Sequence, residues 1–547
     1  MQHSGDLLNP RTRHTPMSTN PPQTEISVQA ARRRWAALVL AVFALGILLR
    51  LPTFLRPLWS DDEAIYATTA DALVRGDLLY RDVVDHKPPL IYHVYQAGFA
   101  ALGAYNTHGA HALVVLAVLL TGAMLLAIRR QEGHNRAGLA SAGLFLIFST
   151  TWHDYDALAA NCELFVLAFQ AMAARLLVQD FNRPGSKARS LSTQLGIGLL
   201  IGIATLFKYQ GLTFLGVSVG MLAWAVFLGR LQRSRAVVSA ALQVGGSLIP
   251  ALLYLAWCAA AGNAQAALNW FLFNFSYVDA GLKGTTAILR GLRRTGMIGG
   301  AALPAYALGI AGAATAAWGV FRALRHRARG ASLLKDDPPS PASVLALLWL
   351  CTSAFAVSAG GRFFGHYFHL VLAPLCLLSG PRLLALWSTR RHWRAALVLL
   401  HALPALFFFA LASFARPLAV TLDESQPNRH DVAARMAALT SPDERVFVWG
   451  NSPQLYWLAR RPMGSRFSFC NYMTGESPGT PTETGQWNAE ANQLPTAWKM
   501  LFADLESRKP ALFVDTAAAG WNGYDKFPVT RYPHLATYLH QHYRPVE

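Results

Sequence analysis

Three adjacent carboxylates, Asp61, Asp62 and Glu63, stand in the run Trp59-Ser60-Asp61-Asp62-Glu63-Ala64-Ile65-Tyr66-Ala67, just after the first long apolar segment. Carboxylates at the end of a membrane span are costly to desolvate and mark function by default. One of them has the chemistry of a general base. The same residues also suit a helix start, with Ser60 as cap and the acids complementing the dipole. In such a helix successive side chains diverge by about 100°, so only one of the three can face a given cavity. Tyr66 then lies one turn beyond Asp62 on the same face.

A second run, Asp85-His86-Lys87-Pro88-Pro89-Leu90, holds a lysine extended ahead of two prolines. It can present an ammonium to a phosphate, or merely mark a helix entry with Pro near the first position. Asp154 and Asp156, followed by Asn161 and Glu163, can offer hard oxygens to a divalent cation or form a solvated loop. Arg362, His366, Tyr367 and His369 can hold a phosphate or sugar hydroxyls, or anchor the chain at the interface through their aromatic neighbours. Lys208, within an apolar stretch, either snorkels outward or faces a cavity. There is no Gly-rich phosphate loop, and the five cysteines show neither metal nor disulfide spacing.

The elements that must position these groups are membrane helices. Of 547 residues, 53% are hydrophobic and only 14% charged, against about a quarter charged in soluble proteins. The charge-free runs are about the length needed to cross a bilayer, and in lipid such runs must be helical. About eleven spans are expected, near 35–51, 109–128, 137–151, 163–178, 193–208, 211–229, 236–262, 296–321, 343–360, 369–387 and 395–416. Residues 1–30, rich in Pro, Ser, Thr and Asn, read as a disordered cytoplasmic tail. A transmembrane domain covers 31–416, with a long first external loop at 52–108. That loop is expected to carry helices over 63–74 and 90–102 along the membrane surface, with Tyr92, Tyr95 and Phe99 at the interface. Residues 417–547 read as a small α/β external domain, with a helix at 429–439 and strands at 445–449 and 511–515.

The net charge of +18 does not point to nucleic acid. The basic residues cluster at every second loop, as in Arg32-Arg33-Arg34, Arg129-Arg130, Arg230 to Arg235, Arg322 to Arg329 and Arg390-Arg391. This is the positive-inside pattern, and it sets the N-terminus inside and the C-terminus outside.

The order of first span, Asp62-Glu63-Ala64-Ile65-Tyr66-Ala67 and then Lys87-Pro88-Pro89-Leu90 resembles the GT-C-fold glycosyltransferases that use polyprenyl-phosphate sugars. The protein O-mannosyltransferase and lipid A aminoarabinose transferase group is the most similar. The resemblance covers about residues 35–390, and Arg362 to Pro374 is similar to a late segment of bacterial members. One departure is His86, where the aminoarabinose transferases carry Glu.

The resemblance implies a polytopic GT-C enzyme of a bacterial inner membrane, with a polyprenyl-phosphate sugar donor and a lipid, glycan or protein hydroxyl acceptor. Asp62 is implied as the base of an inverting displacement, with Glu63 beside it, and Lys87 as the cation for the leaving phosphate. Asp61, Tyr66, His86, Arg362, His366, Tyr367, Asp154 and Asp156 are candidates for substrate binding. No cofactor is called for, though a divalent metal ion at Asp154 and Asp156 stays open. The alternative is a transporter of lipid-linked sugars, which would also need a charged cavity but more often shows repeats and broken helices.

Overall fold

The computed structural model describes residues 22–151, 157–183, 190–329, 338–415, 429–476 and 489–546. The apolar runs fold as helices, because lipid leaves their backbone groups no other partner. In chain order these are α1 (Pro22–Arg50), α4 (His108–Arg130), α5 (Asn135–Phe148), α6 (Cys162–Phe181), α7 (Leu191–Phe207), α8 (Phe214–Phe227), α9 (Arg233–Ala260), α12 (Leu303–Ala328), α13 (Pro341–Ser358), α14 (His369–Thr389) and α15 (Arg394–Ala410). Among the described residues nine helical segments are long and apolar enough to cross a membrane, and α5 and α7 are shorter apolar helices at positions where spans are expected. The protein is a multi-pass membrane protein. Leucines such as Leu252 and Leu253 of α9 lie exposed on its outer surface, as lipid-facing residues must.

Close helix contact is set by small residues. On α7, a Cβ added to Gly198 would meet the Gln243 carbonyl at 2.2 Å, and one on Gly202 the Ser247 carbonyl at 2.4 Å. The Gly-x-x-x-Gly spacing lets α7 lie directly on the α9 backbone.

Two boundaries differ from the sequence reading. Helix α1 already runs from Pro22, inside the expected tail, while the rest of that tail lies outside the described residues. The span expected at 296–321 starts instead at Leu303, because Pro304 in the first turn of α12 begins a new helix after the break at Ala302. The residues before it form α10 (Ala264–Asp279) and α11 (Gly284–Ala301). With Arg290, Arg293 and Arg294 along one amphipathic helix, α11 cannot continue into a span.

The first external loop carries α2 (Asp61–Val74) and α3 (Leu90–Leu102), at the expected places. Neither lies loosely on a surface. Tyr92 and Tyr95 are fully buried and Phe99 nearly so, because α3 packs between α2 and α4 and its aromatics fill that seam. The expected interfacial placement of these three rings is corrected accordingly.

Among the described residues, the first element of the C-terminal part is the helix Arg429–Leu439. Strands β1 (Val446–Trp449) and β2 (Leu512–Asp515) pair in parallel, Val446 opposite Leu512 and Trp449 opposite Asp515. Helix Ala497–Arg508 forms part of the connection that a parallel pair needs. This part sits on the first loop. The Val84 amide donates to the Arg466 carbonyl at 3.0 Å. Arg508 donates to the Asp82 carbonyl at 2.6 Å, and Thr68 to that of Pro453 at 3.3 Å.

Candidate functional site

The carboxylate run opens α2 as a capped helix: the Glu63 amide donates to the Ser60 hydroxyl at 3.2 Å. The cap fixes the register, and with it the divergence of the three acids. Asp62 points into a cavity of about 650 Å³. Asp61 turns to the C-terminal part, where the side-chain amides of Gln454 and Asn522 donate to it. Glu63 turns inward.

Glu63 is completely buried and does not line the cavity. Its Oε1 accepts from Tyr95 at 2.8 Å and from the Ala160 amide at 2.8 Å, and lies 2.9 Å from His111 Nε2. Its Oε2 accepts from the Trp59 amide at 2.6 Å. A carboxylate so engaged ties α2, α3, α4 and the residues just before α6 together, and is sealed off from the cavity. The expectation that Glu63 shares the chemistry with Asp62 is corrected on this ground.

Asp62 is the centre of a charge network. Lys87 Nζ lies 3.2 Å from Oδ1, the Tyr66 hydroxyl donates to Oδ2 at 3.2 Å, and His366 Nε2 lies 3.7 Å from Oδ2. Burial alone would raise the Asp62 carboxyl, but Lys87, then His366 and Lys208, hold it down at about 2. Lys87 also approaches Asp85 at 3.7 Å and sits 5.1 Å from the centre of the Tyr66 ring. Burial would lower its ammonium, yet the two aspartates keep it firmly charged. Asp85 is fully buried and accepts from Tyr92 at 2.6 Å and from Tyr472 at 3.4 Å. Despite its burial, Lys87 and His86 hold its carboxyl well below the usual range.

His86 stacks on Tyr277 with 4.1 Å between ring centres, and the Arg362 guanidinium lies 3.9 Å from the centre of the same Tyr277 ring. Arg362 also donates to the Tyr277 carbonyl at 2.9 Å. This arrangement depends on a crossing only glycine allows. A Cβ on Gly281 would stand 1.6 Å from the Gly360 carbonyl, and Gly361, at φ +63°, would clash with Leu282 at 2.1 Å.

On the other side of His366, Glu163 lies 3.9 Å from its Nε2 and pairs with Lys208. Lys208 Nζ is 3.9 Å from the centre of the Tyr367 ring. Lys208 therefore faces the cavity and does not snorkel.

The structure thus brings together Asp61, Asp62, Tyr66, His86, Lys87, Arg362, His366 and Tyr367, from three separate segments. Asp154 and Asp156 lie outside the described residues, and among the described residues no group of His, Cys, Asp and Glu could hold a metal ion. Asp85, Glu163 and Lys208, which stand in the stretches singled out from sequence, join the network, and Tyr277 is an addition to the candidates. The available signal was the unpaired look of Lys208 and Glu163 in apolar surroundings, since a charge within a span needs an opposite partner.

No protein-family model matches the sequence, and no curated protein matches it. Among solved structures, ArnT from Cupriavidus metallidurans bound to undecaprenyl phosphate superimposes with a TM-score of 0.57. The match covers 89% of this chain and 91% of that one, at 16% identity. The chain has the ArnT fold. ArnT from the same organism in the apo state gives a TM-score of 0.55 at 17% identity, over 79% of this chain and 86% of that one. ArnT is a GT-C-fold protein, so the fold expected from the paired motifs is the fold observed. The likeness to bound ArnT extends over nearly the whole of both chains, not over one group of helices.

Proposed function

We propose that the protein transfers a sugar from a polyprenyl-phosphate donor to a hydroxyl acceptor. The observation that carries this reading is the Asp62–Lys87 pair, 3.2 Å apart in a cavity with Arg362 and Lys208 in its wall. A general base stands beside cations that suit a phosphate leaving group. The solved ArnT structure bound to undecaprenyl phosphate supports the same donor class.

The residues support a single displacement with inversion. The acceptor hydroxyl attacks the anomeric carbon, its C–O bond forms as the bond to phosphate breaks, and the proton passes to Asp62. Lys87, with Arg362 as the second cation, holds the departing lipid phosphate. A carboxylate held near 2 is a poor base at neutral pH. The donor phosphate competes for Lys87, and as the ammonium turns to it Asp62 regains basicity. Binding of donor thereby readies the base.

The site lies on loops beyond the ends of the spans, at the face opposite the basic clusters. In the bacterial inner membrane that the motif resemblance implies, the positive-inside pattern supports a cytoplasmic N-terminus, a periplasmic C-terminus and a reaction on the periplasmic side. A transporter would hold its charges near mid-membrane. Residues 31–416 act as the transferase domain and 417–547 as a periplasmic cover. The test is mass spectrometry of envelope glycans and lipids from cells with wild-type protein, Asp62→Asn or none. A sugar-bearing product present only with wild type is expected. An identical product from Asp62→Asn would overturn the reading.

A further inference from the structure

The two walls of the cavity differ in chemistry. The wall from the membrane part carries the cations Lys87, Lys208 and Arg362 with His366, the carboxylates Asp61 and Asp62, and two carboxamides, Gln210 and Asn274. The wall from the C-terminal part carries, among the described residues, neither Lys nor Arg and a single charge, Glu476. What it does carry is carboxamides: Asn451, Asn471, Asn492 and Gln493, beside the rings of Phe469 and Tyr472. The two rings stack on each other with centres 5.3 Å apart.

At least one of these amides is left over among the described residues. Asn492 Nδ2 is buried and has no hydrogen-bond partner among the described residues. Asn471 Oδ1 accepts from Tyr524 at 2.7 Å. A buried amide without a partner costs free energy unless something satisfies it. A carboxamide offers two donors and an acceptor on one planar group, which matches the paired hydroxyls of a sugar. Aromatic rings beside it suit the apolar C–H faces of a pyranose. A phosphate would select cations instead, and Glu476 would repel it. About 650 Å³ is within the range of small-molecule sites and has room for an acceptor beside a donor headgroup.

We infer that the wall formed by Asn451, Asn471, Asn492, Gln493, Phe469 and Tyr472 is a subsite for a neutral carbohydrate, and that the acceptor is the hydroxyl of a glycan, not a phosphate or a peptide side chain. This rests on the transferase reading and adds the acceptor class to it. The C-terminal part is then the acceptor reader, and the membrane part the donor site.

The test uses the full chain in lipid nanodiscs and saturation-transfer NMR. The probes are maltose, N,N′-diacetylchitobiose and α-1,6-mannobiose, with glucose 1-phosphate and a Ser/Thr hexapeptide for contrast. At least one disaccharide should give a signal that falls about fivefold in Asn492→Leu or Gln493→Leu, the loss of about one hydrogen bond. The glucose 1-phosphate signal should fall in Lys87→Ala and stay unchanged in Asn492→Leu. The subsite is overturned if no disaccharide signal depends on Asn492 or Gln493, or if the phosphate or peptide signal does. Undecaprenyl phosphate binding, read by thermal shift, reports folding of the two leucine variants and separates the two readings. If it persists and depends on Lys87 while the disaccharide result fails, only the subsite falls. If it is absent from the wild-type protein, the transferase reading falls with it.

Discussion

Lys87 Nζ stands 3.2 Å from Asp62 Oδ1, although 25 residues and the end of α2 separate them in the chain. The contact joins the two sequence motifs into one unit. In the proposed mechanism it also sets the order of events, since the same ammonium cannot neutralise the base and hold the leaving phosphate equally well.

Asp62→Asn keeps the shape of the side chain and removes the proton acceptor. Transfer from a polyprenyl-phosphate sugar in nanodiscs should fall by about a hundred- to ten-thousand-fold. Donor binding should remain. Asp61→Asn should keep most activity, because Asp61 meets Gln454 and Asn522 of the C-terminal part and not the charge network. Equal losses in both variants would show that the base is not Asp62 alone.

Removal of the phosphate partner is the second case. Lys87→Ala should weaken undecaprenyl phosphate binding and cut transfer by about a hundredfold or more. Lys87→Arg should restore only part, since a guanidinium differs in reach and shape from an ammonium. Wild-type transfer by Lys87→Ala would leave Lys87 as a helix-entry residue.

Glu63→Gln should act on stability. The amide nitrogen would face the Trp59 N–H or the group of donors on Oε1, so a buried donor is left opposed to another donor. The cost is about 3 kcal/mol, typical of a broken buried charge contact. A lowered unfolding midpoint, with near-normal turnover in the protein that remains folded, is the expected result. A normal midpoint with lost turnover would return Glu63 to the chemistry.

The acid side of the stability profile carries Asp85. Its folded carboxyl is held below the ordinary value of 3.8 by Lys87 and His86, against the effect of burial. A depressed carboxyl stabilises the fold above the unfolded value and ceases to do so as pH falls through the folded one. Asp85→Asn should therefore lower the unfolding midpoint at pH 7, and the gap to wild type should shrink between pH 4 and pH 2. Thermal scans across that range in nanodiscs check the sign; a gap that widens on acidification contradicts it.

Sidedness is tested by reporter fusions. Fusions after Arg130, Arg235 and Arg329 should read cytoplasmic, and fusions after Tyr105 or within the C-terminal part periplasmic. A cytoplasmic C-terminus would place the cavity on the wrong side for the proposed reaction.

Much of this was legible in the residues themselves, wherever the determining physics is local. Charge-free runs have to be helices in lipid, and Ser60 with three acids has to open a helix. A fixed helical register sends only one of Asp61, Asp62 and Glu63 toward any one place. Packing between distant segments decided the rest. Glu63 became a buried anchor because Tyr95, His111 and Ala160, from other elements, converge on it. Tyr92 left the expected interface because α4 and Asp85 were there to receive it. Lys208, Glu163 and Tyr277 joined the site because α6, α7 and α10 end at one cavity, and no periodicity along the chain records which helix ends meet. The sequence alone determined the fold class and the Asp62 and Lys87 motifs. Which cations surround the Asp62 carboxylate, and that a wall of amides faces them, depended on long-range burial, where each polar group must find its partner in space.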